Sequence, residues 1–408
     1  MKPEFSELTL EYVEKTELAY RKQRGQYFTP RSIINELLLH LPKDKINPRI
    51  LDPACGTGEF LVSAKEFFPD ADVEGWDIDH KLAEIARLVA PKSRVFVKDS
   101  LQEDYKGTYD FIIGNPPYYE FSLDGSVKNK FRMLLNGRTN IFSLFIKLGL
   151  DLLKEGGYLA YVVPPSMNNG AYFSKVREYI INCSNIEFLK ILDKTSLFHD
   201  ALQMTMLIVL KKGKNRGDYL FEHNGIKIFC ENPAFLKKSF LGTKSLKDLG
   251  FSVKTGRLIW NQNKERLTNK VEKGIPLLWA HNISASGLAF PVIGKKPQYV
   301  IIKNFNEGPA IIVNRITGAS RTAKIRSALV PDKMRFIAEN HCNVIFPPVN
   351  KKQQKFDFEI NPSSNIVVTL EEICKQLGSA EKLTVMQNIT GNTQISKTEL
   401  ENLFPISI

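Results

Sequence analysis

The 408-residue sequence contains only five cysteines, and their positions exclude two classes of protein. Cys55, Cys183, Cys230, Cys342 and Cys374 are far apart and odd in number, which gives neither metal-ligand spacing nor a disulfide framework. We therefore expect each cysteine to be a small buried residue, and we predict no bound metal.

Long apolar runs are absent as well. No stretch of 18 consecutive apolar residues occurs, and the first ten residues lack the apolar core of a signal peptide. These absences argue against a membrane-spanning or secreted protein, and we expect a cytoplasmic location. A hydrophobic content of 43% and a charged content of 25% are ordinary for globular proteins, and the length suggests two domains.

Acidic residues are scarce in one quarter of the chain. Between residues 241 and 340 there are 17 Lys and Arg but only 6 Asp and Glu, so this block holds almost all of the net charge of +12. An ordinary surface mixes both signs of charge. A block of one sign therefore predicts a polyanionic partner, and nucleic acid is the favoured one. The block has no zinc-finger or helix-turn-helix signature.

Residues 49–212 alternate apolar strand patterns with helical ones, which is typical of a single α/β domain with about seven strands. The first strand, 49–52, leads into the glycine-containing turn 53–58 and then a helix, as nucleotide-binding folds begin. The third glycine of the dinucleotide fingerprint is missing, which argues against a nicotinamide-dependent dehydrogenase.

Three further segments carry local predictions. Residues 4–24 have the pattern of one helix, and Thr29 is placed as the N-cap of the next helix, with Pro30 at its first position. Residues 122–137 are polar and basic with two glycines, which predicts a mobile surface segment.

Three consecutive predicted strands end in an aspartate, namely Asp52, Asp77 and Asp99. Ligands of open α/β sheets bind at the carboxyl ends of the strands. An acid after the second strand can accept hydrogen bonds from both hydroxyls of a ribose. Asp99 can accept a hydrogen bond from an exocyclic amine such as adenine N6. Any one of these acids could instead cap a helix, but three in succession favour a cofactor that contains a nucleoside.

The fourth strand runs into a turn that cannot continue it. The apolar run 111–113 is followed by Gly-Asn-Pro-Pro-Tyr at 114–118, and both prolines lack the N–H that a strand ladder needs. The turn therefore holds one amide, that of Asn115, and one aromatic ring, that of Tyr118, at the ligand-binding edge of the sheet.

Taken in chain order, 26–30 (Gln-Tyr-Phe-Thr-Pro), 52–58 (Asp-Pro-Ala-Cys-Gly-Thr-Gly), Asp77, Asp99 and 115–118 (Asn-Pro-Pro-Tyr) resemble the motifs of gamma-class N6-adenine DNA methyltransferases. The resemblance implies an α/β fold: a Rossmann-like seven-stranded methyltransferase domain at 1–240 and a mixed α/β target-recognition domain at 241–408. It also implies S-adenosylmethionine as the cofactor. The residues that the resemblance places around this cofactor are Tyr27, Phe28, Thr29, Asp52, Pro53, Ala54, Cys55, Gly56, Gly58, Asp77, Ile78, Asp99, Ser100, Asn115, Pro117 and Phe145.

The resemblance further implies catalytic roles for Asn115, Pro116 and Tyr118, and stacking of the target base on Tyr118 and Phe198. An exocyclic amine is a poor nucleophile because its lone pair is delocalised. The Asn115 side-chain oxygen and the Pro116 carbonyl can each accept one of its N–H bonds and direct the lone pair at the methyl group. A base inside a duplex must be flipped out, at a cost of a few kcal/mol. Stacking worth roughly 1–3 kcal/mol per base would offset much of that cost.

These expectations combine into a sequence-specific methyltransferase that modifies adenine N6 in double-stranded DNA. We expect it to belong to a bacterial restriction–modification system, to act as a monomer and to leave cleavage to a separate endonuclease, because no nuclease motif is evident. Candidates for phosphate or base contacts in the basic block are Arg315, Arg321, Lys324 and Arg326.

Alternatives stay open at this point. Ribosomal RNA adenine methyltransferases and protein glutamine methyltransferases carry a similar Asn-Pro-Pro-Tyr, but they are usually shorter and lack a large basic domain. N4-cytosine DNA methyltransferases more often have Ser at the position of Asn115. A non-catalytic DNA-binding protein with a decayed methyltransferase domain predicts damaged motifs, and none is visible.

Overall fold

A computed structural model describes residues 4–121, 125–134, 139–168, 173–192, 205–284, 286–291, 296–315, 324–348, 368–390 and 394–408. The chain forms two compact units, one comprising residues up to Leu220 with Lys227–Glu231, the other Phe221–Ile226 with Asn232–Ile408. The predicted functions of 1–240 and 241–408 stay predictions. Within the described ranges, no helix is both long enough and apolar enough to cross a membrane.

The first unit alternates strands and helices. Its elements are α1 (Glu7–Lys15), α2 (Leu18–Gln23), α3 (Arg31–Leu38), β1 (Arg49–Asp52), α4 (Glu59–Phe67), β2 (Asp72–Asp77), α5 (His80–Val89), β3 (Arg94–Val97), β4 (Tyr109–Gly114), β5 (Glu120–Phe121), α6 (Gly125–Phe131), β6 (Thr139–Asn140), α7 (Phe142–Leu152), β7 (Leu153–Val163), α8 (Ser174–Cys183), β8 (Ser184–Leu192) and β9 (Thr205–Lys212).

A seven-stranded sheet organises this unit, in the order β3-β2-β1-β4-β7-β9-β8. The strands from β3 to β7 are parallel to one another, whereas β9 runs antiparallel to both β7 and β8. The order reverses its direction after β1, so the carboxyl ends of β1 and β4 flank the point where such sheets bind ligands. The predicted Rossmann-like seven-stranded α/β fold is confirmed.

Both faces of the sheet are covered, as the apolar central strands require. Residues of β1 and β4 alternate between two cores: Leu51 and Ile112 pack with α7 and α8, and Ile50 and Phe111 pack with α3, α4 and α5. The central strands are therefore rigid, and the loops that follow them are held in fixed positions at one edge.

Three local predictions for this unit are wrong. The helix expected over 4–24 is two helices, broken after Lys15, where the buried Arg21 side chain donates to the freed Thr16 carbonyl. Pro30, not Thr29, occupies the N-cap position of α3. The segment 122–137, expected to be a mobile surface segment, does not lie wholly at the surface, because it contains α6, whose Phe131 is fully buried in the core.

From residue 220 onward the helices and strands are mostly short. They are β10 (Leu220–His223), β11 (Ile226–Phe229), α9 (Pro233–Ser239), β12 (Thr243–Lys244), β13 (Ser252–Thr255), β14 (Leu267–Thr268), β15 (Ile275–Leu278), β16 (Ile283–Ser284), β17 (Gly287–Leu288), β18 (Tyr299–Val300), β19 (Asn306–Glu307), β20 (Ala310–Asn314), β21 (Ser327–Val330), β22 (Arg335–Ala338), β23 (Cys342–Phe346), α10 (Leu370–Leu377), α11 (Ala380–Thr390), α12 (Lys397–Leu403) and β24 (Ile406–Ser407).

The second unit contains two larger sheets. One has the order β13-β23-β20-β21 and the other β14-β18-β15-β22-β19. Capping boxes begin two of its helices, α10 at Thr369 and α12 at Ser396. The unit is thus a mixed α/β structure with its own core, in which Ile312 and Phe336 are fully buried.

Candidate active site

The loops that follow β1 to β4 enclose a cavity of about 590 Å³ within the first unit. This volume lies in the range of roughly 300–1,000 Å³ that small-molecule sites occupy. Of the residues that the sequence predicted around a cofactor, all but Gly58 line it: Tyr27, Phe28, Thr29, Asp52, Pro53, Ala54, Cys55, Gly56, Asp77, Ile78, Asp99, Ser100, Asn115, Pro117 and Phe145.

Two glycines shape the loop between β1 and α4, in different ways. Gly56 has φ of 54°, and a side chain there would meet only the Phe28 ring, at 3.8 Å, so its backbone lies open to the cavity. Gly58 has φ of 92°, and a Cβ added to it would lie 3.2 Å from the Ala86 Cα. Gly58 therefore serves the close approach of α4 to α5 rather than the cavity wall.

Local donors hold the two acids at the ends of β2 and β3. Asp77 accepts hydrogen bonds from the backbone N–H groups of Gly56 (2.9 Å) and Asp79 (2.8 Å). Burial raises the pKa of Asp77 to about 6, so it is mostly ionised at neutral pH. Asp99 accepts from the Leu101 N–H (3.1 Å) and from the Gln102 amide (2.8 Å). Each carboxylate is fixed in direction, with lone pairs left to accept from ribose hydroxyls or an amine.

Asp52 differs from the other two acids because it is fully buried. Its Oδ1 accepts from the Ala54 N–H at 3.0 Å, and a side chain on Gly114 would come within 2.6 Å of the same oxygen. Burial, and then the nearby Asp77 charge, raise the pKa of Asp52 to about 8. Burial likewise raises the pKa of the Cys55 thiol, which therefore stays protonated at neutral pH.

The N-terminal helix is attached to this loop through Glu59, the first residue of α4. The buried Glu59 carboxylate accepts from the Ser6 N–H (2.8 Å), the Ser6 hydroxyl (2.7 Å) and the Thr9 hydroxyl (2.7 Å), and it pairs with the Arg31 guanidinium (2.8 Å). We call these residues the Glu59 clasp. The clasp holds the starts of α1, α3 and α4 together beside the cavity.

Two residues of the Asn-Pro-Pro-Tyr turn, Asn115 and Pro117, form the next part of the wall, whereas Tyr118 lies behind it. The Asn115 amide nitrogen donates to the Tyr27 carbonyl at 2.9 Å and to the Thr29 hydroxyl at 3.0 Å. The Tyr118 hydroxyl donates to the Asn115 amide oxygen and has the Val162 carbonyl as a second acceptor at 2.7 Å. Burial holds the pKa of Tyr118 well above its usual value, so this group is a neutral donor.

The Tyr118 ring stacks on Tyr27, with ring centroids 5.8 Å apart and planes 26° apart. Pro116 is buried in the turn and does not line the cavity. Phe198, the other predicted base-stacking residue, lies outside the described residues.

Several cavity residues were missed by sequence reasoning. Thr57 and Glu59 lie within or beside the glycine loop, and Tyr119 follows the Asn-Pro-Pro-Tyr motif, so their positions alone could have indicated them. Others have no sequence signal, because chain folding alone brings them to the cavity. These further lining residues include Tyr20, Gln23, Arg24, Leu82, Lys98, Val127 and Ile141.

The predicted DNA contacts lie in the second unit. Lys324 and Arg326 are exposed, whereas Arg315 is half-buried and donates to the Asn340 carbonyl. Arg321 lies outside the described residues. The pKa of His281 is lowered, first by burial and then by the charges of Lys296 and Arg326.

Comparison with known proteins gives a consistent result. A family model described as N-6 DNA Methylase matches residues 7–241. The modification methylase CviBIII of Paramecium bursaria Chlorella virus NC1A is 27% identical over 328 residues, covering 78% of this chain and 81% of the relative. The type II methyltransferase M.BsuBI of Bacillus subtilis is 25% identical over 398 residues, covering 80% and 79%. A solved class I S-adenosylmethionine-dependent methyltransferase of Listeria monocytogenes is 27% identical, with coverage of 51% and 65% and a TM-score of 0.43.

Proposed function

Because the chain belongs to the N-6 DNA methylase family, we propose that it methylates the N6 amine of adenine in specific sequences of double-stranded DNA. We propose further that it is the modification enzyme of a restriction–modification system, since the curated relatives named above are modification and type II methyltransferases. The observation that carries the proposal is the Asn115 amide, which lies in the wall of a cavity that also holds the acceptor carboxylates of Asp77 and Asp99 for a nucleoside cofactor.

The cofactor is S-adenosylmethionine, which supplies a methyl group activated by a positively charged sulfur. In the proposed site Asp77 accepts from the ribose hydroxyls and Asp99 from the adenine amine of this cofactor. Tyr27, Phe28 and Phe145 form its apolar surroundings, and the open backbone at Gly56 admits it close to the loop. The acid-lined cavity suits a ligand that carries positive charge.

For the target base, the chain supplies acceptors rather than a strong base. The Asn115 oxygen and the Pro116 carbonyl accept the two N–H bonds of the adenine amine, which draws its lone pair out of conjugation and fixes its direction. The amine competes with the Tyr118 hydroxyl for the Asn115 oxygen. That hydroxyl can turn to the Val162 carbonyl, its other acceptor, when the base enters.

The target adenine must leave the duplex to reach this wall, so base flipping is part of the proposal. The ring of Tyr118, beside the Asn115 amide, would stack on the flipped base. Phe198 stays a predicted second stacking partner. We further propose that the enzyme acts as a monomer and that a separate endonuclease cleaves unmodified DNA.

The second unit is proposed to recognise the DNA sequence. Its exposed cations Lys324 and Arg326 lie just before β21. Phosphate contacts by such residues make binding depend on salt. Removing one phosphate contact lowers the slope of log affinity against log salt by about 1. We expect this change for Arg326→Ala but not for Lys397→Ala, an exposed lysine of α12 that serves as the matched control.

The central test is long-read sequencing of genomic DNA from a host that expresses either the wild-type protein or Asn115→Ala. The proposal expects a sequence motif with new N6-methyladenine in the wild-type sample alone. Detection of new N4-methylcytosine instead would mean that the target base is cytosine and not adenine. Absence of any new DNA methylation, with methyl transfer to ribosomal RNA or a release factor, would overturn the DNA assignment.

A further inference from the structure

The orientation of the Asn115 amide is determined by the segment before α3. Its nitrogen donates to the Tyr27 carbonyl and to the Thr29 hydroxyl, at 2.9 and 3.0 Å. A backbone carbonyl can only accept, so the NH₂ side of the amide must face this segment. The amide oxygen consequently points the other way, where the Tyr118 hydroxyl donates to it.

Thr29 is free to make this contact because it does not cap a helix. Pro30 takes the N-cap position of α3, and no side chain there bonds to the first turn. The Thr29 side chain is buried, with 3% of its surface exposed, so few positions are available to its hydroxyl. Its established partner in this structure is the Asn115 amide.

The same segment meets the other end of the Asn-Pro-Pro-Tyr turn. Gly25 has φ of 65°, and a side chain there would lie 2.6 Å from the Tyr118 nitrogen and 2.9 Å from the Tyr119 ring. The residues 25–29 thus touch both Asn115 and Tyr118. Movement of this segment would therefore be transmitted to the turn that receives the target amine.

We propose that Thr29 is a positioning residue, which keeps the Asn115 oxygen directed at the target amine in addition to lining the cofactor cavity. The inference rests on the proposed function, in which Asn115 receives that amine. An Asn115 amide turned over by 180° would present its NH₂ to the target amine, and two donors cannot bond to each other. With both amide hydrogens bonded to Tyr27 and Thr29, only the productive orientation satisfies every group.

Thr29→Val tests this role because it keeps the shape and removes the hydroxyl, and Thr29→Ser restores the hydroxyl. The substrate is unmethylated plasmid DNA that contains the motif found by sequencing, with N6-methyladenine measured by mass spectrometry. We expect the single-turnover rate at saturating S-adenosylmethionine and DNA to fall about tenfold for the valine variant, as for the loss of one positioning hydrogen bond. The serine variant should stay within about threefold of the wild type.

Equilibrium binding of S-adenosylmethionine, measured by calorimetry on the same proteins, separates positioning from cofactor binding. The inference expects the Kd of the valine variant to change by less than about threefold, since its effect acts through Asn115. A raised Kd with an unchanged saturated rate would mean that Thr29 serves only the cofactor, and would overturn the inference. A single-turnover rate of Thr29→Val at saturation equal to that of the wild type would also overturn the inference.

Two further outcomes are distinguishable. If the wild-type protein makes no N6-methyladenine, the proposed function fails, whatever the variants do. If the valine variant neither binds cofactor nor unfolds cooperatively, Thr29→Cys takes its place, because it keeps a similar volume with a sulfur that accepts hydrogen bonds weakly. The cysteine variant must then lose saturated rate while the serine variant keeps it.

Discussion

The Glu59 clasp gives a prediction whose size can be worked out from its contacts. Glu59→Gln keeps the shape of the side chain but removes the negative charge that faces Arg31. The carboxylate is 5% exposed and the Arg31 side chain 15% exposed, so the pair is largely shielded from water. In the variant, an amide NH₂ must face donors in either orientation: Ser6 and Thr9, which donate to one carboxylate oxygen in the wild type, or Arg31, which donates to the other.

Breaking a buried ion pair by removing one partner typically costs roughly 3–5 kcal/mol. The Arg31 guanidinium keeps some contact with water, and the glutamine oxygen keeps part of the hydrogen bonding, so we expect a loss of about 2–3 kcal/mol. For a unit of this size each kcal/mol lowers the unfolding midpoint by about 2–4 °C, which gives a decrease of about 4–12 °C.

The clasp should also affect cofactor affinity. It holds α1, whose Tyr12 ring packs edge-on against Phe28 with centroids 5.8 Å apart, and Phe28 lines the cavity. We expect the loss of that support to weaken the binding free energy of S-adenosylmethionine by about 1 kcal/mol, which raises its Kd about fivefold.

Thermal unfolding and calorimetric cofactor binding measure both effects. Glu84→Gln is the matched control, because Glu84 is 60% exposed on α5 and pairs with the exposed His80. Such a surface pair contributes little, so the control midpoint should stay near that of the wild type. The reasoning is refuted if Glu59→Gln matches the control in both its midpoint and its Kd.

Two other predictions concern Gly114 and Asp52, the last residues of β4 and β1. Gly114→Ala places a Cβ 2.6 Å from the Asp52 carboxyl at a φ of 145°, so we expect single-turnover transfer to fall about 100-fold through misplacement of Asn115. Gly156→Ala, where the Cβ would meet no described atom within 4 Å, is its control, and equal rates for the two would contradict this account. The pKa of Asp52 is 3.8 in the unfolded chain and about 8 in the folded protein, so folding takes up a proton between these pH values. The carboxyl therefore destabilises the folded protein increasingly as pH rises from one value to the other. Asp52→Asn should therefore gain stability over the wild type by on the order of 1 kcal/mol per pH unit from pH 5 to 7 in chemical denaturation, with a smaller gain as pH approaches 8, and a pH-independent difference would be evidence against it.

Much of the first unit could be predicted because its signals are local. An apolar run such as 111–113 and the proline-rich turn after it specify a buried strand and its end without reference to any distant residue. Helix boundaries are harder to predict, because they depend on tertiary contacts. The helix expected over 4–24 is broken where Arg21 can reach the Thr16 carbonyl, and α6 forms because Phe131 has a core to enter.

The sequence by itself determined the seven-stranded α/β architecture and about half of the residues that line the cavity. Periodicity, strand-ending acids and the order of short motifs are written along the chain, and parallel strands bring their ends to one edge. Only the tertiary structure decided what the side chains do there. Thr29 has the sequence context of a helix cap, yet its hydroxyl bonds to Asn115, 86 positions away, and Glu59 accepts hydrogen bonds from Ser6, 53 positions away. Such pairings arise from the three-dimensional packing of the sheet and helices, and no local pattern encodes them.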